Sequence, residues 1–249
     1  MIFITGDTHA DVQRFSTLCF PEQKEMTKND YVIICGDFGL VFDQTETKEE
    51  KYWLDWLENK PFTTLFVDGN HENFDRLNSY PVEKWHGGKV HKIRPSVIHL
   101  MRGEIFEING KEIFAFGGAS SHDISDGILD KDKDVAKIKE WNKDRYKQFR
   151  VNHVSWWKEE LPSDAEMENG LTNLAKHNYS VDFVITHSPA ASHITLLGHG
   201  LYKQDVLTEY LEKIRWKLNY KNWFFGHMHD DININAKDIL LYMQIIRIQ

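Results

Sequence analysis

One local device recurs five times along the chain: a short run of β-branched and aromatic residues that ends in Gly or Thr next to Asp, Asn or His. The runs are IFIT into GDTH, YVIIC into GDFG, TTLFV into DGNHE, VDFVI into THSP, and NWFF into GHMH. Near-continuous apolar runs of this length predict strands buried on both faces, the habit of parallel or mixed sheets covered by helices. Helices are predicted between them. Residues 46–60 carry Trp53, Leu54 and Leu57 at helical spacing, and residues 205–218 place Val206, Tyr210 and Ile214 on one face behind a capping Asp205. Strands alternating with helices point to an α/β architecture. In open α/β sheets ligand sites lie beyond the carboxyl ends of the strands, which is where all five polar clusters fall. Gly6, Gly36, Gly69 and Gly226 stand at those exits, suited to tight turns and close backbone approach.

The clusters supply Asp7, His9, Asp37, Asn70, His187, His227 and His229 as candidate metal ligands, with His71 beside them. Taken alone, His227 and His229 are as well explained as ornaments on a strand end. Partners on the same rim favour a metal. Carboxylates, imidazoles and an amide oxygen, without thiolates, suit Mn, Fe or Zn better than Ca²⁺ or a structural zinc. Seven ligands are too many for one ion with an open position. Two ions about 3.5–4 Å apart and sharing a carboxylate fit the count, and such a pair clamps a phosphoryl group while activating water. The ligands run from position 7 to position 229, so both ends of the chain must meet, which predicts a single domain over 1–249.

With 249 residues, 41% hydrophobic and 13% aromatic, the chain has enough apolar material for a substantial core. A net charge of −8 provides no global positive field, which disfavours long nucleic acid as a partner and favours a small phosphate ester drawn in by metal. Cys19 and Cys35 are too few for a disulfide framework and are expected as small core residues of a protein in a reducing compartment. No apolar stretch is long enough for a membrane span, and MIFITGD lacks the pattern of a secretory leader. The expected location is the cytoplasm, with no membrane partner.

The motifs GDTH at 6–9, GDFG at 36–39, GNHE at 69–72, THSP at 186–189 and GHMH at 226–229 together resemble the calcineurin-like metallophosphoesterases, in the family's order and over nearly the whole chain. The resemblance implies a four-layer α/β/β/α sandwich of two mixed β-sheets flanked by helices. It further implies that Asp7, His9 and His229 hold one ion, that Asn70, His187 and His227 hold a second, and that Asp37 bridges them. His71 would then serve the leaving-group oxygen, opposite a hydroxide bridging the metals that attacks in line. The activity implied is hydrolysis of a small phosphomonoester or phosphodiester, nucleotides included. A catalytically silent metal-binding scaffold or interaction module on the same fold is the alternative.

The chain departs from the family pattern at one informative place. In the protein serine/threonine phosphatases and diadenosine tetraphosphatases of this family the second motif continues with an Asp that supports the catalytic histidine and an Arg that grips phosphate, whereas here those positions are Leu40 and Val41. An unassigned His or Arg is therefore expected to help the metals hold the non-reacting phosphate oxygens.

The stretches at 113–123 and 154–163 resemble an uncharacterised bacterial and prophage branch of the family. Within them His122 and Asp123 are candidate substrate contacts, as are His193 and His199 after the fourth motif. Trp156 and Trp157 are expected to pack. Residues 131–150, with eight Lys or Arg against four acids, read as a solvated helix face, with a basic lip over the metal site as the alternative, and residues 120–170 as a lid or substrate wall.

Overall fold

The computed structural model describes residues 1–198 and 202–249. In chain order the strands are β1 (Ile2–Thr5), β2 (Tyr31–Ile34), β3 (Thr63–Phe66), β4 (Val82–Trp85), β5 (Gly88–Arg94), β6 (Val97–Leu100), β7 (Glu104–Ile108), β8 (Lys111–Phe116), β9 (Gly127–Asp130), β10 (Phe149–Asn152), β11 (Phe183–Thr186), β12 (Asn222–Phe225), β13 (Ile232–Asn233), β14 (Asp238–Leu240) and β15 (Ile245–Arg247). The helices are α1 (Lys48–Glu58), α2 (Phe74–Leu77), α3 (Val135–Trp141), α4 (Asp164–Lys176), α5 (Ala191–Leu197) and α6 (Val206–Lys217).

One sheet runs β15-β1-β2-β3-β6-β5-β4 and the other β13-β14-β12-β11-β8-β7. Both are mixed. In the first, β1, β2, β3 and β6 are parallel with antiparallel edges; in the second, β8, β11, β12 and β14 are parallel, flanked by antiparallel β7 and β13.

The period of two along each strand sorts side chains into three apolar layers. Ile2, Ile4, Ile33 and Leu65 of the first sheet meet Ile113, Ala115, Ile185 and Phe224 of the second, forming the core between the sheets. Their neighbours Phe3, Val32, Ile34 and Phe66 point the other way, onto Leu54 and Leu57 of α1. On the far side Phe114, Val184, Trp223 and Phe225 pack beneath Leu174 of α4 and Leu207, Leu211 and Ile214 of α6. Strands buried on both faces need helices outside both sheets, and the α/β/β/α order follows.

Local signals place the helix starts. Thr47 and Glu50 form a capping box at α1, Ser163 and Glu166 one at α4, and Asp205 and Thr208 one at α6. Val206 is the exception to the expected apolar face. It is 48% exposed, because the buried stripe of α6 runs through Leu207, Tyr210, Leu211 and Ile214. Cys19 is likewise exposed, and only Cys35 fills the core.

The stretch 131–150 is not one helix. Only Val135–Trp141 is helical, and Phe149–Asn152 forms β10, paired in parallel with β9 as a separate two-stranded sheet. Within 120–170 the last residues belong to α4, whose Met167 packs against the outer apolar layer of the second sheet. Trp157 is fully buried, and its Nε1 donates to Asp75 at 2.8 Å. No helix among the described residues is long and apolar enough to cross a membrane.

Candidate metal centre

The carboxyl ends of β1, β2 and β3 in one sheet and of β11 and β12 in the other converge because glycines let the two sheets touch. A Cβ on Gly226 would stand 2.0 Å from Asp7 Oδ1, and one on Gly36 would stand 2.3 Å from His187 Nδ1. Gly36 also has φ of +93°, in the region that favours glycine. Each contact joins residues of different sheets.

Four candidate ligands adopt left-handed backbone: His9 (φ 45°), Asp37 (46°), His227 (70°) and His229 (50°). Asp and His tolerate this region better than most residues, yet each such position costs about 1–3 kcal/mol unless its surroundings impose it. Here they do. The Asp37 carbonyl accepts from the N–H of Thr8 at 3.1 Å and of His9 at 2.7 Å, while the His227 N–H donates to both Asp7 carboxylate oxygens at 3.1 Å. Glu72 fastens two loops from below, accepting from Phe38 N–H and Gly69 N–H at 2.6 Å each.

Two donor clusters result. Ligand atoms of Asp7, His9, Asp37 and His229 lie within 4.8 Å of one another, and so do those of Asp37, His187 and His227. In the first, the Nε2 atoms of His9 and His229 are 2.9 Å apart, with Asp7 Oδ2 3.2 Å from His229 Nε2 and Asp37 Oδ2 3.6 Å from His9 Nε2. In the second, Asp37 Oδ1 is 3.4 Å from His187 Nε2. Asp37 thus belongs to both, one oxygen toward each. Asn70 is buried nearby, and its Oδ1 has no hydrogen-bond partner among the described residues.

The electrostatics favour cations at this rim. Burial opposes charge on His187, but Asp37 and Asp7 outweigh it and push its pKa up to about 10. The field that favours a proton on His187 favours a metal ion beside it. Burial, with His187 adding repulsion, pushes His227 down to about 3, leaving the neutral imidazole that a metal requires. His187 Nδ1–H donates to the Cys35 carbonyl at 2.8 Å, which turns its Nε2 lone pair into the cluster, where that atom too is buried without a hydrogen-bond partner. Ring nitrogens of His9 and His229 2.9 Å apart beside two carboxylates, and orphaned buried atoms on Asn70 and His187, are what a set of metal ligands looks like. The residues fit a dinuclear centre.

The comparison with known families agrees with this geometry. The family model for calcineurin-like phosphoesterase matches residues 1–231, a span that includes every donor named above. The chain belongs to the calcineurin-like phosphoesterase family. Among similar proteins are the lariat debranching enzyme A of Xenopus laevis, 26% identical over 144 residues, and the lariat debranching enzymes of Drosophila pseudoobscura pseudoobscura, 27% over 140 residues, and Homo sapiens, 24% over 140 residues. These matches cover 52%, 51% and 51% of this chain but only 26%, 25% and 24% of the relatives, so the aligned part spans about a quarter of their length.

Around the phosphoesterase centre the remaining candidates separate. His71 stands over the first cluster, its ring 4.8 Å from that of His9 and nearly perpendicular, and its N–H donates to Asp37 Oδ1 at 2.9 Å. Burial lowers its pKa, with Asp37 opposing and His9 and Arg150 adding to the effect. His122 meets the second cluster, its ring 5.8 Å from that of His227, on the wall of a cavity of about 460 Å³ that Tyr202 and Lys203 also line.

Asp123 is taken up by an ion pair. It receives Arg150, which donates from Nε at 3.0 and 2.9 Å and from Nη2 at 2.5 Å. His193 is a correction: it is 4% exposed, stacks on Phe225 at 5.5 Å, and directs Nε2 to Asp238 at 3.2 Å beneath the helical layer, so it reaches no rim. His199 lies outside the described residues.

Sequence reasoning missed Arg150, which it placed on a solvated helix, and gave Glu72 no role. It also missed Glu160, which accepts from the Ser121 N–H at 3.2 Å and sits behind the Ser121 hydroxyl that Asn70 Nδ2 contacts at 3.4 Å. Glu72 was visible as the last residue of GNHE; Glu160 and Arg150 carry no local signal.

Proposed function

We propose that this chain is a dinuclear metal-dependent phosphoesterase hydrolysing a small phosphomonoester or phosphodiester, with nucleotides among its substrates. The observation that carries the reading is Asp37, whose two oxygens face different donor clusters, at 3.6 Å from His9 and 3.4 Å from His187. In this reading Asp7, His9 and His229 hold one ion, Asn70, His187 and His227 the other, and Asp37 both. Bound ions of the Mn, Fe or Zn type would supply Lewis acidity to the phosphoryl oxygens and lower the pKa of the attacking water.

The chain's own residues do the rest. Asp7 and Asp37 offset the charge of the ions without quenching it, and Asn70 contributes a neutral oxygen that leaves its ion more electrophilic. A ring N–H of His71 donates to the leaving-group oxygen as negative charge develops there. The backbone hydrogen bond from His71 to Asp37 ties that donor to the bridge between the clusters. The cavity beyond His227 offers an aromatic ring, a cation and hydroxyl groups to the organic part of an ester.

The test is hydrolysis of a panel of phosphate esters by protein stripped with chelator and then reloaded with Mn²⁺, Fe²⁺ or Zn²⁺, with metal content measured alongside. Because the relatives are named lariat debranching enzymes, the panel includes a lariat beside the small mono- and diesters. Turnover that vanishes with the metal and returns on reloading supports the proposal. Two ions bound per chain with no turnover on any ester would instead make the protein a silent scaffold.

A further inference from the structure

The positions where related phosphatases carry a histidine-supporting aspartate and a phosphate-gripping arginine are here Leu40 and Val41, and both are buried in the apolar layer beneath α1, unable to serve a ligand. A non-reacting phosphate oxygen would therefore lack a protein cation from that loop. The described residues offer a substitute from a distant part of the chain.

Two anchors place Arg150. On one side β10 is fixed beside the His71 loop: His153, just past the strand, directs Nδ1 to Asp75 at 2.9 Å, and Trp157 donates to the same carboxylate at 2.8 Å. Phe42 fills the angle between them, its ring 6.3 Å from that of His71 and 6.1 Å from that of Trp157. On the other side Asp123, which grips Arg150, directly follows His122, whose ring meets that of His227. Arg150 is thus held between Asp123, next to His122 on the His227 side, and a strand tied to Asp75 on the His71 side.

The geometry of the Asp123 pair matters as much as its position. Asp123 takes the side of the guanidinium formed by Nε and Nη2. Nη1 donates to nothing among the described residues, and the side chain is 19% exposed, so one edge remains open. A guanidinium carries five N–H groups in a rigid fork, enough to satisfy a carboxylate along one edge and a phosphate along the next. Binding to Asp123 also sets the fork's direction before any ligand arrives.

We propose that Arg150 is the anion clamp of this centre, its free Nη1 edge gripping non-reacting oxygens of the phosphoryl group, with Asp123 as the residue that orients it. This rests on the phosphoesterase reading and adds to it the residue that recognises the phosphate dianion or monoanion apart from the metals. Asp123 acts through Arg150 and is a positioning residue.

The experiment titrates inorganic phosphate into Mn²⁺-loaded protein by calorimetry at fixed ionic strength, and measures KM and kcat on an ester that the wild type hydrolyses. Arg150→Gln should bind phosphate about 10- to 100-fold more weakly with unchanged metal content, the loss of a charged hydrogen-bond donor pair. KM should rise by a similar factor. Arg150→Lys should recover only part of the affinity, because a point charge replaces the fork. Asp123→Asn should weaken phosphate several-fold while Arg150 is still present, which a purely structural role for the pair would not produce in a protein of unchanged metal content and melting temperature. Phosphate affinity and KM equal to wild type in both Arg150 variants would overturn the proposal. If the wild type hydrolyses no ester the functional reading fails separately, and the phosphate titration still decides the role of Arg150.

Discussion

The rim formed by the strand ends and the wall formed by β9 and β10 are built in different ways. On the rim Asp7, Asp37, Asn70 and His187 are buried and His229 is exposed, and the loops that carry them are clamped by backbone hydrogen bonds, with His9, Asp37, His227 and His229 in left-handed conformations. Wall residues are half exposed and are tied down by ion pairs: Arg150 with Asp123, Lys147 with Asp126, His153 with Asp75. Preorganised donors that must bind metals require the first kind of construction, since a shift of half an ångström spoils a coordination site. Residues that grip a ligand's periphery tolerate the second. On the proposed reading, the rim carries the chemistry and the wall sets the grip on the ligand.

The sharpest way to break that division is Asp37→Asn. Removing the carboxylate shared by both clusters should release both ions together and reduce turnover to background, measured as metal per chain and as rate. Retained activity with two ions bound would dissolve the distinction between rim and wall. Next in size is His71→Ala, a rim residue that holds no metal in the proposed scheme. It should keep both ions yet lose about 10²–10⁴ in kcat for an alkyl ester, and much less for a nitrophenyl ester whose leaving group needs no help. Equal losses on both esters would remove the leaving-group role.

The smallest effect on chemistry, and the largest on stability, is expected where rim and wall are joined. Asp68 precedes the third motif and is buried with Arg102, which donates to it at 2.9 Å from Nε and to the Glu159 carbonyl at 2.8 Å. His99 Nε2 completes the group at 3.0 Å. Asp68→Asn removes the buried charge partner of Arg102, leaving the more exposed Glu166 at 3.7 Å, and should cost about 3–5 kcal/mol in chemical denaturation at neutral pH.

Burial raises the Asp68 pKa, but Arg102 and His99 outweigh it and hold the carboxyl well below the usual range. A depressed folded-state pKa contributes stability above the unfolded value, near 3.9, and loses it as pH falls through the folded one. The gap between wild type and variant should accordingly narrow below about pH 4. A gap independent of pH would show that Asp68 acts by shape and not by charge.

Much of the rim was legible because its signals are local. A run such as YVII reads as a strand from its own residues, and the glycine and aspartate after it read as an exit. The same logic failed at β10, where FRVN is short, half buried and embedded in charge. Its strand character comes from pairing with β9, and Arg150 finds its meaning in Asp123, 27 positions away. His193 failed for the converse reason. It follows His187 closely in sequence, but it stands in α5, and helix packing turned the ring onto Phe225 and Asp238.

The sequence by itself determined the candidate donors and their placement at strand exits, because burial period, glycine freedom and side-chain chemistry are properties of a few neighbouring residues. Only the tertiary structure decided which donors share a cluster. His9 and His229 are 220 positions apart, and their ring nitrogens meet at 2.9 Å because two sheets pack face to face with glycines at the seam. It also decided that Asp37 looks both ways and that Arg150, on the wall, keeps Nη1 without a partner among the described residues. Such relations depend on contacts between distant segments, which no local pattern of residues encodes.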